Sequence, residues 1–176
     1  MGEKISNINH HLKSASAKTL IAEIRELYRF FLPVREYYAL KLSKNGDAEL
    51  LKKYKKIIKD EFMPDRGLGK ARLSIARRAV LDFMKLSSND ISIADVMLHY
   101  VEMGVEFTLE YGDIDEPFYA SVESMYEKAA RFTTERGLGA AFKIRFEKIV
   151  RDTSDMGWGF HDSLDDMFST YFSDMK

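Results

Sequence analysis

Apolar residues recur every three or four positions along nearly the whole chain, which is the period of a helix with one buried face. After Ser16, a residue type favoured as an N-cap, the apolar positions are Leu20, Ile21, Ile24, Leu27, Tyr28 and Phe31. No segment alternates as a half-buried strand does. The pattern therefore predicts an all-α protein of seven to eight antiparallel helices in one domain spanning residues 1–176. They form a helical bundle or a short stack of helical hairpins, and residues 1–15 are flexible or form a short helix.

Prolines, glycines and capping residues divide this pattern into helices. Pro33 ends the first clear helix and lies in the first turn of the next one. The later predicted boundaries are a turn at Asn45-Gly46 with Asp47 as the following cap, a stop at Pro64, a capping signature at Ser92-x-x-Asp95, a helix end at Tyr111-Gly112, a first-turn Pro117 and a glycine cap at Gly137-Leu138.

The tetrapeptide Arg-Gly-Leu-Gly occurs twice, at residues 66–69 and 136–139, each time between two predicted helices. One interpretation is a duplicated helical hairpin. The other is two unrelated glycine-rich connections, which the proline at position 64 favours because only the first connection has one.

Four stretches have distinctive sequences: residues 12–42, 62–83 around RGLGKARLSIA, 110–125 (EYGDIDEPFYASVESM) and 152–162 (DTSDMGWGFHD). Together they resemble a family of uncharacterised bacterial all-helical proteins known only as a domain of unknown function. The resemblance spans nearly the whole chain and implies a single helical domain. It implies no activity, ligand or cofactor, so the individual residues must be interpreted on their own.

The composition excludes several classes of protein. The chain has no cysteine, so disulfides, thiol nucleophiles and cysteine-bound zinc are excluded. No apolar run approaches the length of a membrane span, and the first 16 residues lack the apolar block of a signal peptide. These features predict a cytoplasmic protein with no membrane segment. The net charge of −1 argues against general affinity for nucleic acids.

Charges are strongly segregated along the sequence. Residues 52–78 contain ten Lys or Arg and three acids, whereas residues 86–127 contain ten acids and no Lys or Arg. Neighbouring helices could pair these charges inside the molecule, most directly through Arg72, Arg77 or Arg78. Alternatively, the basic segment 52–78 and the acidic segment 90–127 could dock an unknown protein partner or mediate self-association. Nucleic acid is the less favoured partner, because acids accompany the basic residues without interleaved exposed aromatics.

One acidic face stands out in the predicted helix that begins at Ser92. Five polar residues, Asp95, His99, Glu102, Glu106 and Glu110, share one side of an otherwise apolar helix. His99, Glu102, Glu106 and Glu110 could ligate a metal. The paired Glu-x-x-His motif of di-iron bundles is absent, however. The favoured alternative is a structural stripe that faces solvent or is neutralised by arginines from the preceding helix.

Two further groups are candidate binding residues. Lys70 and Arg72 follow two glycines at the start of a helix, where anions can bind, although the residues of a P-loop are missing. Trp158 lies between two glycines, near His161 and Asp162, and could be a contact for a partner. The alternative is that Trp158 fills the core while the nearby aspartates cap helix ends.

No nucleophile motif and no catalytic residue can be identified. The sequence therefore favours a non-enzymatic cytoplasmic protein-interaction or adaptor module without a cofactor. The alternative is a metal- or small-ligand-binding enzyme of hydrolytic type that uses the acidic stripe.

Overall fold

Nine α-helices account for the regular structure of residues 5–173, the part of the chain that the computed structural model describes. Their bounds are α1 Ile5–Ser14, α2 Ala17–Phe30, α3 Leu32–Leu42, α4 Gly46–Phe62, α5 Leu73–Leu86, α6 Asp90–Tyr111, α7 Glu116–Glu135, α8 Gly139–Asp152 and α9 Phe160–Phe172. These residues contain no strand, so the predicted all-α class is confirmed. The predicted number of helices was slightly too low, because Ile5, Ile8 and Leu12 lie in a regular helix, α1. The antiparallel order of neighbouring helices remains a prediction.

The chain divides between Lys44 and Asn45 into two compact units. In the first unit, α2 packs against α3. In the second unit, α6 is the central helix and contacts α4, α5, α7 and α8, while α9 packs against α7 and α8. The prediction of one domain over the whole chain remains a prediction. No helix within residues 5–173 is long and apolar enough to cross a membrane.

The central position of α6 follows from its composition. Thirteen of its 22 residues are buried, because it is apolar around most of its circumference. Gly104 allows α7 to approach closely: a Cβ at this position would lie 2.8 Å from Cγ2 of Val122. At the α4 end of the core, the Phe62 ring meets the rings of Tyr100, Phe107 and Phe118 edge-on.

Two predicted caps were wrong. Asp47 is inside the first turn of α4, where its carboxylate accepts hydrogen bonds from Ser87, Asn89 and Ser92. The long helix begins at Asp90 rather than at Ser92, because the Asn89 side chain accepts the backbone N–H groups of Ile91 and Ser92. Asp47 therefore ties the start of α4 to the start of α6, which the local sequence could not indicate.

Other boundaries agree with the sequence. Ser16 caps α2 by accepting the N–H of Thr19, and Pro33 lies in the first turn of α3. Gly112 ends α6 and Pro117 lies in the first turn of α7. Gly137 adopts a φ of +68°, and the N–H of Leu138 donates to the carbonyl of Thr133 at 2.7 Å, which is the expected glycine cap.

The two Arg-Gly-Leu-Gly stretches have different structures. The second forms the short glycine cap between α7 and α8. The first belongs to a longer connection that folds back on α4, where the N–H groups of Lys70 and Ala71 donate to the carbonyl of Glu61 at 2.9 and 2.7 Å. A Cβ on Gly69 would collide with the carbonyl oxygen of Phe62 at 1.7 Å. The two copies of the tetrapeptide therefore have different local structures, which favours two unrelated connections.

Candidate functional site

One cluster of charged side chains in the second unit, the α6 ion-pair cluster, consists of Lys55, Asp95, Glu102 and Arg145. Arg145 extends from α8 and donates two hydrogen bonds of 2.8 Å to the Glu102 carboxylate and one of 2.6 Å to Asp95. Lys55 extends from α4 and bonds the Asp95 carboxylate at 3.0 Å. The four side chains are 22–31% exposed, so solvent screens these pairs only in part.

The charged forms of Asp95 and Arg145 are stabilised by their partners in this cluster. Burial alone would raise the pKa of Asp95, but hydrogen bonds and charge from Lys55 and Arg145 outweigh it, and the pKa lies below its ordinary 3.8. Burial likewise opposes the charge of Arg145, but the bonds to Glu102 and Asp95 keep its pKa above the ordinary value. Asp95 and Arg145 are therefore paired as charged groups at neutral pH.

His99 lies beside this cluster in a neutral form. Burial, followed by the nearby charge of Lys55, lowers its pKa. Its Nε2–H donates to the backbone carbonyl of Lys55 at 3.1 Å, and its Nδ1 lies 4.0 Å from Glu102. One ring nitrogen is thus committed to the α4 backbone.

The remaining acids of the stripe do not join the cluster. Glu106 borders a cavity of about 210 Å³ together with Glu102, Val105, Lys148, Ile149 and Asp152. Burial and then the Glu102 charge raise the pKa of Glu106. Glu110 is exposed at the end of α6. Within residues 5–173, no three His, Cys, Asp or Glu residues are grouped so that they could hold a metal ion.

The arginines predicted to pair with the stripe do not reach it. Arg72 binds Glu61, Arg78 binds Asp82, and Arg77 donates to Ser121 and Ser124 on α7. The basic helices α4 and α5 do pack against α6, as predicted, but the ion pairs were assigned wrongly.

Arg145 follows Asp95 by 50 residues on a helix that is not adjacent in sequence, so no local signal could have identified it.

The predicted anion site at residues 67–72 is engaged within the protein. The N–H groups of Lys70 and Ala71 bond to the Glu61 carbonyl, and the Arg72 guanidinium bonds to the Glu61 carboxylate at 2.7 and 2.8 Å. These contacts fix the connection between α4 and α5. They direct both backbone donors at α4 rather than at a ligand.

Trp158 projects from the loop before α9 and is 63% exposed, so the alternative of a core tryptophan was wrong. Its φ of +60° is unusual for a residue with a side chain. The neighbouring N–H of Gly157 donates to Asp113 at 3.3 Å, and the same carboxylate oxygen accepts the Tyr119 hydroxyl at 2.6 Å. Two of the distinctive stretches, 110–125 and 152–162, therefore meet at this loop.

The three candidate residues of the Trp158 loop face different ways. Asp162 is exposed in the first turn of α9, which has no side-chain cap. His161 is partly buried, and its Nδ1–H donates to the carbonyl of Val150 at 3.2 Å. His161 thus holds α9 to the end of α8, while Trp158 and Asp162 remain accessible.

Exposed large apolar side chains are concentrated in the first unit, which the sequence did not predict. Helices α1 and α2 contain no buried residue, and α3 contains one, Glu36. Twelve of the twenty exposed large apolar side chains in the described residues fall here, in a quarter of the chain. This N-terminal apolar surface comprises Ile5, Ile8, Leu12, Ile21, Ile24, Leu27, Tyr28, Phe30, Phe31, Leu32, Tyr37 and Leu42. The helical spacing predicted these helices but not that so many of their large apolar side chains would be exposed.

A groove between α2 and α3 forms the concave part of this surface. It has a volume of about 460 Å³ and is lined by Ile24, Arg25, Tyr28, Arg29, Tyr38 and Leu42. The rings of Tyr28 and Tyr38 meet edge-on at 6.3 Å and join the two helices. Concave apolar surfaces with a few polar groups are where ligands and partner side chains bind.

Comparison with known proteins gives a family but no function. No curated protein and no solved structure matches the chain. A family model does match, and it covers residues 4–172, which is almost the whole sequence. The chain belongs to the family described as "Family of unknown function (DUF6155)".

Proposed function

We propose that this chain is a non-enzymatic protein-interaction module that binds a helical segment of a partner protein on its N-terminal apolar surface. The observation that carries the proposal is the concentration of exposed apolar side chains in residues 5–42. Monomeric proteins rarely leave large contiguous apolar patches exposed unless the patch binds something. A cytoplasmic location is part of this proposal, and a chain without cysteine suits a reducing compartment.

The kind of partner follows from the shape of the surface. The apolar residues of α2 recur at positions i, i+3, i+4 and i+7, and α3 supplies the second wall of the groove. An amphipathic helix laid in such a groove can bury its own apolar face at the same spacing. The partner therefore needs no more than a few helical turns.

The segregated charges, predicted as an alternative docking surface, give weaker support. Several cations of residues 52–78 are already paired: Lys55 with Asp95, Lys56 with Asp60, Lys59 with Asp65 and Arg72 with Glu61. Docking through these segments would have to break or share existing pairs. Docking on the N-terminal apolar surface would not require these ion pairs to be broken or shared.

A display library of helical peptides, with apolar residues at i, i+3, i+4 and i+7 and random residues elsewhere, tests the proposal. The full chain is the bait, and selected peptides are measured by fluorescence anisotropy. Leu42→Asp should weaken binding about tenfold or more, because burying a leucine is worth about 1.5–3 kcal/mol.

Ile144→Asp is the matched control, because Leu42 and Ile144 are both 78% exposed and lie in helices. This variant should bind the peptides as the wild type does. The proposal is wrong if no peptide is enriched, or if the two substitutions weaken binding equally.

A further inference from the structure

The groove between α2 and α3 is apolar at its centre and cationic along one edge. Ile24, Tyr28, Tyr38 and Leu42 supply its apolar lining, and Arg25 and Arg29 supply the charge. The two arginines are four residues apart on α2, so they lie one turn apart on the same side of the helix. A groove with this layout selects for charge as well as for apolar shape.

Neither of these arginines has a hydrogen-bond or ion-pair partner within the part of the chain that the structure describes. On a helical wheel centred on Ile24, Lys18, Arg25 and Arg29 fall on one side of the apolar stripe, at roughly 100–140°. Glu23 falls on the other side and is already bonded to His11 at 2.9 Å. The cationic edge therefore has two charges available for an incoming acid.

The net charge of the first unit also favours an acidic partner. Residues 5–44 contain seven Lys or Arg and three Glu, a net charge of +4. A second copy of the same face would bring like charges together, which disfavours a symmetric dimer through this groove. An acidic partner would be attracted to it and oriented by it.

We infer that the groove binds an acidic amphipathic helix of another protein, whose apolar residues fill it while one or two carboxylates pair with Arg25 and Arg29. This inference rests on the proposed function and specifies its partner. Charge-assisted hydrogen bonds between arginine and carboxylate are strong and directional. They would fix the register of the bound helix along α2.

An anionic membrane surface is the main competing occupant, because basic amphipathic helices also bind lipid headgroups. Two features disfavour it. The site is a groove between two helices rather than a single flat face. In addition, the acidic Glu23 flanks the other side of the same apolar stripe, where a membrane surface would repel it.

Two synthetic 18-residue peptides test the inference. They share the same leucines at i, i+3, i+4 and i+7, and differ only in carrying glutamate or lysine at the polar positions. Binding of each to the full chain is measured by fluorescence anisotropy at low and high salt. The acidic peptide should bind at least tenfold more tightly at low salt, and added salt should reduce this difference.

Charge reversal provides the specific variant. Arg25→Glu together with Arg29→Glu should invert the preference between the two peptides. The matched control is Lys128→Glu together with Arg151→Glu, which makes the same change in charge at exposed positions of α7 and α8. The control should bind the acidic peptide within about twofold of the wild type.

Each of the other outcomes refutes either the preference for an acidic helix or the proposed function itself. Equal binding of both peptides, lost in Leu42→Asp, keeps the proposed function but refutes the preference for an acidic helix. Failure of both peptides, together with failure of the helical library, refutes the proposed function as well. Binding to vesicles with 30% anionic lipid but to neither peptide would identify a membrane-surface helix. A dimer in sedimentation velocity that Leu42→Asp abolishes, without peptide binding, would identify a second copy as the occupant.

Discussion

Arg145 on α8 binds the Glu102 carboxylate on α6 through two parallel hydrogen bonds of 2.8 Å, and its third contact is with Asp95. One arginine thus bonds two acids on the central helix, and Lys55 supplies the second positive charge. Arg145→Gln should lower the free energy of unfolding by about 2 kcal/mol, because it removes the cation bonded to the partly buried Glu102 and leaves Asp95 with Lys55 alone. Thermal or urea unfolding would measure this loss.

Arg151→Gln is the control for this change, because Arg151 is an exposed cation near the end of the same helix. It should change the free energy of unfolding by less than about 0.5 kcal/mol. A similar loss in both variants would show that the α6 ion-pair cluster adds little to stability.

The lowered pKa of Asp95 predicts a specific dependence of stability on pH. A carboxyl whose pKa is lower in the folded than in the unfolded state contributes stability above its unfolded pKa, and this contribution disappears as the pH falls through the folded pKa. The stability difference between wild type and Asp95→Asn should therefore be constant from pH 7 to pH 5. It should shrink below the ordinary pKa of 3.8. Urea titrations at several pH values would show this, and a difference that grows toward low pH would contradict it.

Gly104 is predicted to be required for the close approach of α6 and α7. Alanine is normally better than glycine inside a helix by about 1 kcal/mol, but here its Cβ would lie 2.8 Å from a methyl group of Val122. Gly104→Ala should therefore destabilise the protein by about 1–3 kcal/mol, as overpacking does. Val122→Ala should restore part of this loss in the double variant. Additive effects of the two substitutions would rule out the clash.

The backbone at Trp158 gives a separate prediction. A left-handed φ strains any residue with a Cβ by about 1–2 kcal/mol and glycine hardly at all. Trp158→Gly should therefore be more stable than Trp158→Ala, by up to about 1 kcal/mol, when both are compared in urea. If alanine proved the more stable, the left-handed conformation at this exposed position would be wrong.

The sequence predicted the helices well, because the helical period of apolar residues and the breakers at Pro33, Pro64 and Gly112 are local signals. It failed where contacts join distant residues. Asp47 is a residue type that often caps helices, but its carboxylate accepts hydrogen bonds from Ser87 and Ser92 instead. Arg145 bonds Glu102 from a helix that does not adjoin α6 in sequence.

Periodicity also cannot show whether the apolar face of a helix is buried or exposed. For that reason Tyr28 and Leu42 had no place in the predicted sites, although they line the groove between α2 and α3.

The connection between α4 and α5 folds back onto α4. It has a neck, which hydrogen bonds fix to α4, and an exposed tip. At the neck, Lys70 and Ala71 hold the Glu61 carbonyl; at the tip, Leu68 is 77% exposed. A Cβ on Gly67 would meet no atom within 4 Å. Lengthening a surface loop costs only about 0.6 kcal/mol for each doubling, so extra residues between Gly67 and Leu68 would extend the tip without shifting the neck. The tip is therefore a suitable attachment point for a tag or fluorophore that leaves the packing of α5 on α6 intact.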